Sequence, residues 1–494
     1  MKKFFIDDIT WNDLDMEEVY ERINTASSSV GQEYLKKTLH SLEFDNSILI
    51  NRDSKAESLK ENPAIVSLLQ KIFMGLGKTK KVSFLDHIFK IKEIKSRSNV
   101  KHFILILLLL IAIALIFVQP AVGIIAIVVM IAVNIALYFR DKAEVEAYFN
   151  SLKYLVAMVI TASKILKLDL PESFSADKET LKECVKTFAT LKRGSWLLTN
   201  SVSGSLIDVL MDYIRMIFHV DLIKFNSMKK YAEDHEAEIQ KLYDTLGEIE
   251  TCICIMTYRN KLEAYCKPQF DLTSDSAGLD VRQMYHPLLT DPVKNSLRTD
   301  QSILLTGSNA SGKSTFLKAM AINQIFAQTI YTCLADSFKT TFYKVLSSMA
   351  LTDNILGEES YFIVEIKSLK RIFDELDKDV PVMAFVDEVL RGTNTTERIA
   401  ASSQILKKLS HENAMIFAAT HDIELTRILE NDMTNYHFSE YIENDQVLFD
   451  YLIKEGPSTS RNAIKLLKVY GYDQELVDSA ETMAHEMMEE AQNG

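Results

Sequence analysis

Cysteine is scarce in this chain of 494 residues, and what there is forms no framework. Cys184, Cys252, Cys254, Cys266 and Cys333 are the five present. They are odd in number and lack the paired spacing of a metal site, which points to a reducing, cytosolic setting rather than a disulfide-stapled scaffold. Cys252 and Cys254 have no second pair nearby to complete a metal site. No secretory leader is expected: Lys2 and Lys3 precede only Phe4, Phe5 and Ile6 before Asp7 and Asp8 end the apolar run. Basic residues are outnumbered, 55 Lys and Arg against 68 Asp and Glu, for a formal net charge of -13. That gives no support to broad, charge-driven nucleic-acid binding and leaves room only for a local basic face. No internal repeat occurs, and no low-complexity tract beyond one apolar run. The 47% apolar and 25% charged content is that of a folded protein, and the length suits two or three domains.

The apolar run is the first positive feature. Phe103–Val118 contains no charge, Gln119-Pro120 interrupts it, and Ala121–Phe139 continues it with Asn134 as the one strongly polar residue. A spanning helix takes roughly 20 apolar residues, so residues 103–139 suit two short spans with the turn at Pro120, which cannot donate a backbone hydrogen bond. Both flanks are basic, with Lys90, Lys92, Lys95, Arg97 and Lys101 before and Arg140 and Lys142 after. The positive-inside rule then places both ends in the cytosol, as a hairpin requires. The expectation is a multi-pass membrane protein with two helices and both soluble parts cytoplasmic. A buried helix pair of a soluble domain and a single tilted span are the alternatives.

Around this run the pattern is helical. Apolar positions fall at helical spacing from Met16 to Leu39, broken near Ser27–Gly31. Ile239, Leu242, Leu246, Ile249, Ile253 and Met256 step by three and four, a seam that predicts a long helix packed on another. Most of 141–262 reads as helix with polar breaks such as Pro171-Glu172-Ser173.

The C-terminal part changes character. Ser302–Thr306 reads as a short buried strand, Gly307-Ser308-Asn309-Ala310-Ser311-Gly312-Lys313-Ser314 fits G-x-x-x-x-G-K-[ST], and Phe316–Ile325 reads as helix. Glycines let backbone N–H groups wrap phosphates at a helix N-terminus. Lys313 would reach the β- and γ-phosphates of ATP and Ser314 would hold Mg²⁺. A second apolar run, Val382–Val386, ends in Asp387-Glu388. There Asp387 would bind Mg²⁺ through water and Glu388 would orient or deprotonate the attacking water. A third, Ala414–Ala419, ends in Thr420-His421, where a histidine can sense the γ-phosphate.

Taken in order, Thr306–Thr315, Ser360-Tyr361-Phe362-Ile363-Val364-Glu365, Asp387-Glu388-Val389-Leu390-Arg391-Gly392-Thr393 and Ala419-Thr420-His421-Asp422-Ile423-Glu424-Leu425 resemble the MutS family of ATPases, within the ABC-type class. Tyr265-Cys266-Lys267-Pro268 and His286-Pro287 look like the family's run-in to its ATPase. Arg22–Gly31, leading into Leu35 and Leu39, looks like the start of its helical core. The resemblance implies that Gly307–Thr315 bind ATP, that Ser360 reaches the partner's γ-phosphate, that His421 is a switch histidine, and that Arg391, Gly392 and Thr393 meet the opposite subunit. It thereby implies a head-to-tail homodimer with two composite sites. Ser308, Ala310 and Ser311 replace more typical loop residues, and Leu390 stands where the family usually has glycine.

The fold expected is an α/β P-loop (ABC-type) ATPase domain at 266–494, preceded by an all-α core-like domain at 1–100 and 141–265 that a transmembrane hairpin at 101–140 interrupts. Core-like sequence begins by about Trp11, so no mismatch-reading domain is expected, and any DNA contact would be independent of mismatches. The function expected is a membrane-anchored MutS-like ATPase acting in a dimer, with DNA as its target. The alternative is the same ATP-driven switch acting on a protein or membrane partner without a DNA role. An ABC transporter subunit is disfavoured, because two short spans make no translocation path and no LSGGQ-type segment occurs.

Overall fold

The computed structural model describes residues 3–78, 98–192, 206–271, 278–308, 311–349, 361–376, 379–390, 393–443, 446–458, 471–480 and 482–483. The chain divides into two units. One comprises Asn24–Lys37 with Asp53–Thr257, and the other Met1–Ile23, Thr38–Arg52 and Tyr258–Gly494.

The first unit is helical. Helix α1, Val100–Leu115, and helix α2, Pro120–Ile165, pack on each other across the expected break. Pro120 opens α2, where its missing N–H costs nothing. Helix α2 runs on unbroken for 46 residues, well past Phe139, so the second apolar segment is the first half of a longer helix. Its Pro120–Val145 part is long and apolar enough to cross a membrane; α1 is apolar over 16 residues, short of that length. Ile104, Leu107, Leu110, Ile111, Ile125 and Val128 all expose half or more of their surface.

The seam predicted between Ile239 and Met256 lies on helix α3, Glu236–Arg259, with every seam residue buried. Glu236 and Glu238 in its first turn and Arg259 in its last complement the helix dipole. It packs closely on the helix Ser29–His40: a side chain at Gly247 would collide with the Tyr34 ring. At the start of that helix, buried Glu250 accepts from Ser27 N (2.7 Å), Ser28 N (3.2 Å) and the Ser28 hydroxyl. A carboxylate there satisfies backbone donors that a helix N-terminus leaves without partners. Burial pushes the Glu250 carboxyl up from its ordinary range, and the bonds from Ser28 and Ser27 oppose that rise.

The second unit is mixed α/β. Its larger sheet has six strands: β1 (Ile303–Thr306), β2 (Lys344–Ser348), β3 (Val382–Asp387), β4 (Ala414–Ala419), β5 (Thr434–His437) and β6 (Lys454–Glu455), in the order β6-β5-β1-β4-β3-β2. All neighbours are parallel except β6 against β5. Strands β1, β3 and β4 are short continuous apolar runs because helices cover a parallel sheet on both faces. Those helices include α4 (Lys313–Thr329), α5 (Tyr361–Asp374) and α6 (Thr395–Ser410). Edge strand β2 is covered by the N-terminal helix Asp8–Asp13, on which Thr10 Oγ1 accepts from Ser347 N (3.1 Å) and Asp13 Oδ2 from Met349 N (2.9 Å). A second sheet joins Gln269–Phe270, Ser337–Thr340, Leu279–Met284 and Asn295–Thr299.

Removing the Glu250 carboxylate strands two backbone donors in a buried place. Glu250→Ala is expected to destabilise the helical unit by about 1–3 kcal/mol, with Glu250→Gln, which keeps one acceptor, losing less. Thermal unfolding curves check this; equal midpoints for wild type and Glu250→Ala would remove the capping role.

Candidate nucleotide-binding site

Parallel register brings the three apolar strands to a common end. Ala419 of β4 stands opposite both Asp387 of β3 and Leu305 of β1. The segments that leave these strands therefore gather at one edge: the loop 307–312 and α4 after β1, Glu388 after β3, and Thr420-His421 after β4. Ligands of open parallel sheets sit at such carboxyl ends.

The loop after β1 needs its two glycines. Gly307 has φ +142° and Gly312 φ +108°, and a Cβ on Gly307 would lie 2.6 Å from the Phe438 carbonyl oxygen. Asn309 and Ala310 lie outside the described residues. Lys313, the first residue of α4, is buried and donates to Gly307 O and Ser308 O, each at 2.8 Å, so its ammonium curls back into the loop. Its Nζ also lies 3.4 Å from His421 Nε2. Ser314 Oγ donates to Asp387 Oδ2 at 2.5 Å. Glu388 Oε1 lies 2.9 Å from the same His421 Nε2. Lys313, Ser314, Asp387, Glu388 and His421, expected from separate motifs, thus come together at one edge of the sheet.

Several supports carry no signal in the motifs. Glu388 (φ +58°) and Leu390 (φ +62°) both adopt left-handed backbone, which costs a non-glycine residue roughly 1–2 kcal/mol. The conformation glycine would take at 390 is thus adopted by leucine. It is held by Glu388 N donating to Ala419 O (2.9 Å), by Leu390 N donating to buried Glu365, and by packing of the Leu390 side chain in the core. Arg398 on α6 grips Asp422 through Nε–Oδ2 (2.9 Å) and Nη2–Oδ1 (2.6 Å), a bidentate fork that fixes the residue after His421. Ser308 Oγ donates to Glu440 Oε2 at 2.5 Å. A fork partner or a backbone-capping acid distant in sequence has no local signature. Glu365 does fall inside the Ser360–Glu365 motif, but the motif gives no sign of this role.

Ser360, Arg391 and Gly392 lie outside the described residues. Thr393 Oγ1 donates to Glu397 Oε2 (3.1 Å) beside the Asn394 cap of α6, a local helix-start contact.

Beside the loop opens a cavity of about 330 Å³, lined among others by His286, Pro292, Gly312, Thr315, Phe438 and Tyr451. Its mix of aromatic walls and few polar groups is that of a small-molecule site. His286 is buried, and its Nδ1 accepts from Leu288 N at 3.2 Å, so the ring is neutral. Burial, with Lys318 adding to it, pushes the imidazole down to about 4.

The residues fit a nucleotide polyphosphate. Two positive-φ glycines clear a backbone cradle at the N-terminus of a 17-residue helix. Buried Ser311 Oγ has no hydrogen-bond partner among the described residues. No cluster of three His, Cys, Asp or Glu suited to a metal occurs among the described residues. A divalent ion here would take Ser314 and Asp387, with phosphate and water oxygens completing its shell, as suits Mg²⁺.

Residues 303–488 match the family model for MutS domain V. The chain is similar to the DNA mismatch repair protein MutS of Listeria welshimeri, 25% identical over 300 residues that make up 57% of this chain and 34% of that protein. It is likewise similar to the proteins of that description from Listeria innocua, 27% identical over 53% of this chain and 31% of the relative, and Leptospira interrogans, 27% identical over 55% and 33%. The match spans about a third of the length of these curated relatives.

His286 gives a pH test of the cavity wall. An imidazole held neutral stabilises the fold fully above the unfolded value near 6.5. That contribution of about 3 kcal/mol declines as pH falls below it and is gone below about 4. His286→Asn keeps an acceptor for Leu288 N and removes the titration. Between pH 6.5 and 4.5 the wild-type unfolding midpoint should fall more steeply than that of the variant; parallel curves would refute the assignment.

Proposed function

We propose that this chain, a MutS-family protein through its C-terminal domain, binds and hydrolyses ATP, and that it does so as a membrane-anchored dimer. The observation that carries the reading is the convergence of Lys313, Ser314–Asp387 and Glu388–His421 at the ends of three adjacent parallel strands. Lys313 leaves the loop carbonyls to meet the β- and γ-phosphates. The N–H groups of the loop and of the first turn of α4 line the phosphates, and the cavity beside Gly312 and Thr315 takes the base. Mg²⁺ on Ser314 and Asp387 would supply Lewis-acid charge stabilisation to the phosphoryl oxygens. Glu388 orients the attacking water and takes its proton, and His421 senses the γ-phosphate while holding Glu388. Ser360, with Arg391 and Gly392, belongs in this reading to the face that completes the partner's site, which makes the active unit a homodimer.

The target of the switch follows the relatives, whose names place them in DNA mismatch repair. The net charge of -13 confines any DNA contact of this chain to a local, salt-sensitive basic patch that reads no mismatch; of the lysines the sequence offers for it, Lys224 and Lys230 reach the surface, whereas Lys229 is buried and paired with Glu233 at 2.7 Å. Lys313→Ala is expected to abolish ATP binding. Glu388→Gln should retain binding, trap an ATP-bound dimer, and lower turnover roughly a hundredfold or more. Turnover by Glu388→Gln at the wild-type rate refutes its role, and a monomer in saturating ATP refutes the dimer. ATP turnover that no duplex, matched, branched or mismatched, changes from its DNA-free rate would transfer the switch to a protein or membrane partner.

The anchor in this proposal is the pair α1 and α2, supported by their exposed apolar faces and by Lys101, Arg140 and Lys142 at one end. Helix α1 measures about 24 Å at 1.5 Å per residue, so the apolar turn residues Phe117 and Val118 complete its crossing of a core about 30 Å thick. With single cysteines at positions 95, 119 and 142, an impermeant label added to intact cells should reach 119 alone. Labelling of one flank would mean a single span, and labelling of none would deny the crossing.

A further inference from the structure

Two of the five thiols face each other outside the nucleotide site. Cys266 and Cys333 form an isolated antiparallel bridge in which each residue's N–H donates to the other's carbonyl, Cys266 N to Cys333 O at 2.9 Å and Cys333 N to Cys266 O at 2.8 Å. Such directly opposed residues hold their Cα atoms about 5.5 Å apart, inside the range a disulfide spans. Cys333 Sγ rests on the Asn323 carbonyl oxygen, donating to it at 3.8 Å. Both sides of the bridge are pinned. Arg259 binds Tyr331 O (2.9 Å) and Thr332 Oγ1 (2.9 Å), Tyr285 OH donates to Ala264 O (2.6 Å), and Tyr285 N to Leu334 O (3.0 Å).

The two thiols differ in access. Cys266 is partly exposed and Cys333 fully buried, as are Cys184, Cys252 and Cys254. The Cys333 thiol beside it holds the Cys266 thiol below its ordinary range, while burial pushes Cys333 up. A partly exposed thiol directly opposite a buried one across a hydrogen-bonded bridge is the arrangement of a redox-responsive pair.

We propose that Cys266 and Cys333 are a reversible redox site, with Cys266 attacking, Cys333 resolving, and a low-molecular-weight disulfide of the glutathione type as oxidant. The Cys266 thiolate attacks one sulfur of glutathione disulfide, forming a mixed disulfide and expelling one glutathione as thiolate, which takes up a proton. Cys333 then loses its proton and attacks the Cys266 sulfur. The mixed disulfide breaks and the second glutathione leaves as thiolate and is protonated. Two protein thiols are oxidised to one disulfide, and one glutathione disulfide is reduced to two thiols. Closure staples the segment through which the chain enters the C-terminal unit to the loop that follows α4, the helix that begins at Lys313. A cross-link between residues bonded in this way keeps side chains further apart than a relaxed disulfide prefers, which makes it easy to reduce and suits it to a switch.

The test uses the full chain in detergent, equilibrated over a series of glutathione–glutathione disulfide buffers, quenched with an alkylating agent and mapped by peptide mass. A linked 266–333 peptide should appear as the buffer becomes oxidising and vanish with dithiothreitol, while Cys184, Cys252 and Cys254 stay reduced. In the reduced chain Cys266 should alkylate roughly tenfold or more faster than Cys333. Cys333→Ser should trap one glutathione on Cys266, and Cys266→Ser should leave Cys333 unmodified. No linked peptide at any buffer ratio, oxidation of the three other cysteines in step with it, or glutathione on Cys333 in Cys266→Ser would each overturn the proposal; the first two need no variant and so do not depend on one folding.

Discussion

The parallel register of β1, β4 and β3 is the constraint on which the site depends. Ala419 is held opposite Leu305 on one side and Asp387 on the other. Each chain segment leaving the sheet therefore starts within a few ångströms of the next. The contacts between Ser314 and Asp387 and between His421 and Glu388 join residues 73 and 33 positions apart (387 − 314 and 421 − 388). A slip by one residue in any strand would reverse the facing of its side chains. It would also carry Asp387 away from Ser314. Helices cover the strands on both faces and make them apolar throughout, while the pairing of Ala419 with Leu305 and Asp387 sets the register at which their ends meet.

Much of this was legible in the sequence because the signals are linear. A short apolar run that ends in a glycine loop, an acid pair or a Thr-His announces both a buried strand and the groups it delivers. The helical seam from Ile239 to Met256 was legible for a similar reason, since periodicity reports which face is buried. The break at Pro120 was legible too, but the end of the helix it opens was not. Arg140, Asp141 and Lys142 look like a boundary, yet the helix continues to Ile165 because charged residues end apolar character without ending a helix.

The illegible part consists of contacts between segments far apart in sequence. Leucine at 390 reads as a departure from a glycine position, and nothing local says that Glu365 captures its N–H and that the core takes its side chain. The Arg398–Asp422 fork and the Ser308–Glu440 bond are of the same kind. So is the placing of the helix Asp8–Asp13 against edge strand β2, where Thr10 and Asp13 accept hydrogen bonds that a neighbouring strand would otherwise take. Side chains that complete another segment's backbone bonding carry no pattern of their own.

One consequence of the site's geometry turns on a single nitrogen. His421 Nε2 lies 3.4 Å from Lys313 Nζ and 2.9 Å from Glu388 Oε1. A ring nitrogen either carries a proton or offers a lone pair. Protonated, it donates to Glu388 and repels the Lys313 ammonium; unprotonated, it accepts from Lys313 and leaves the carboxylate facing a lone pair. The two bonds cannot both be made, so Lys313 and Glu388 compete for the one nitrogen. Lys313 meanwhile spends its donors on Gly307 O and Ser308 O, carbonyls of the loop that the proposed function fills with phosphate. An anion in the loop would draw Lys313 off those carbonyls and away from the imidazole, which settles the competition in favour of His421 donating to Glu388. The position of Glu388 would then report the charge in the loop, with no larger rearrangement of the strands needed to carry the message.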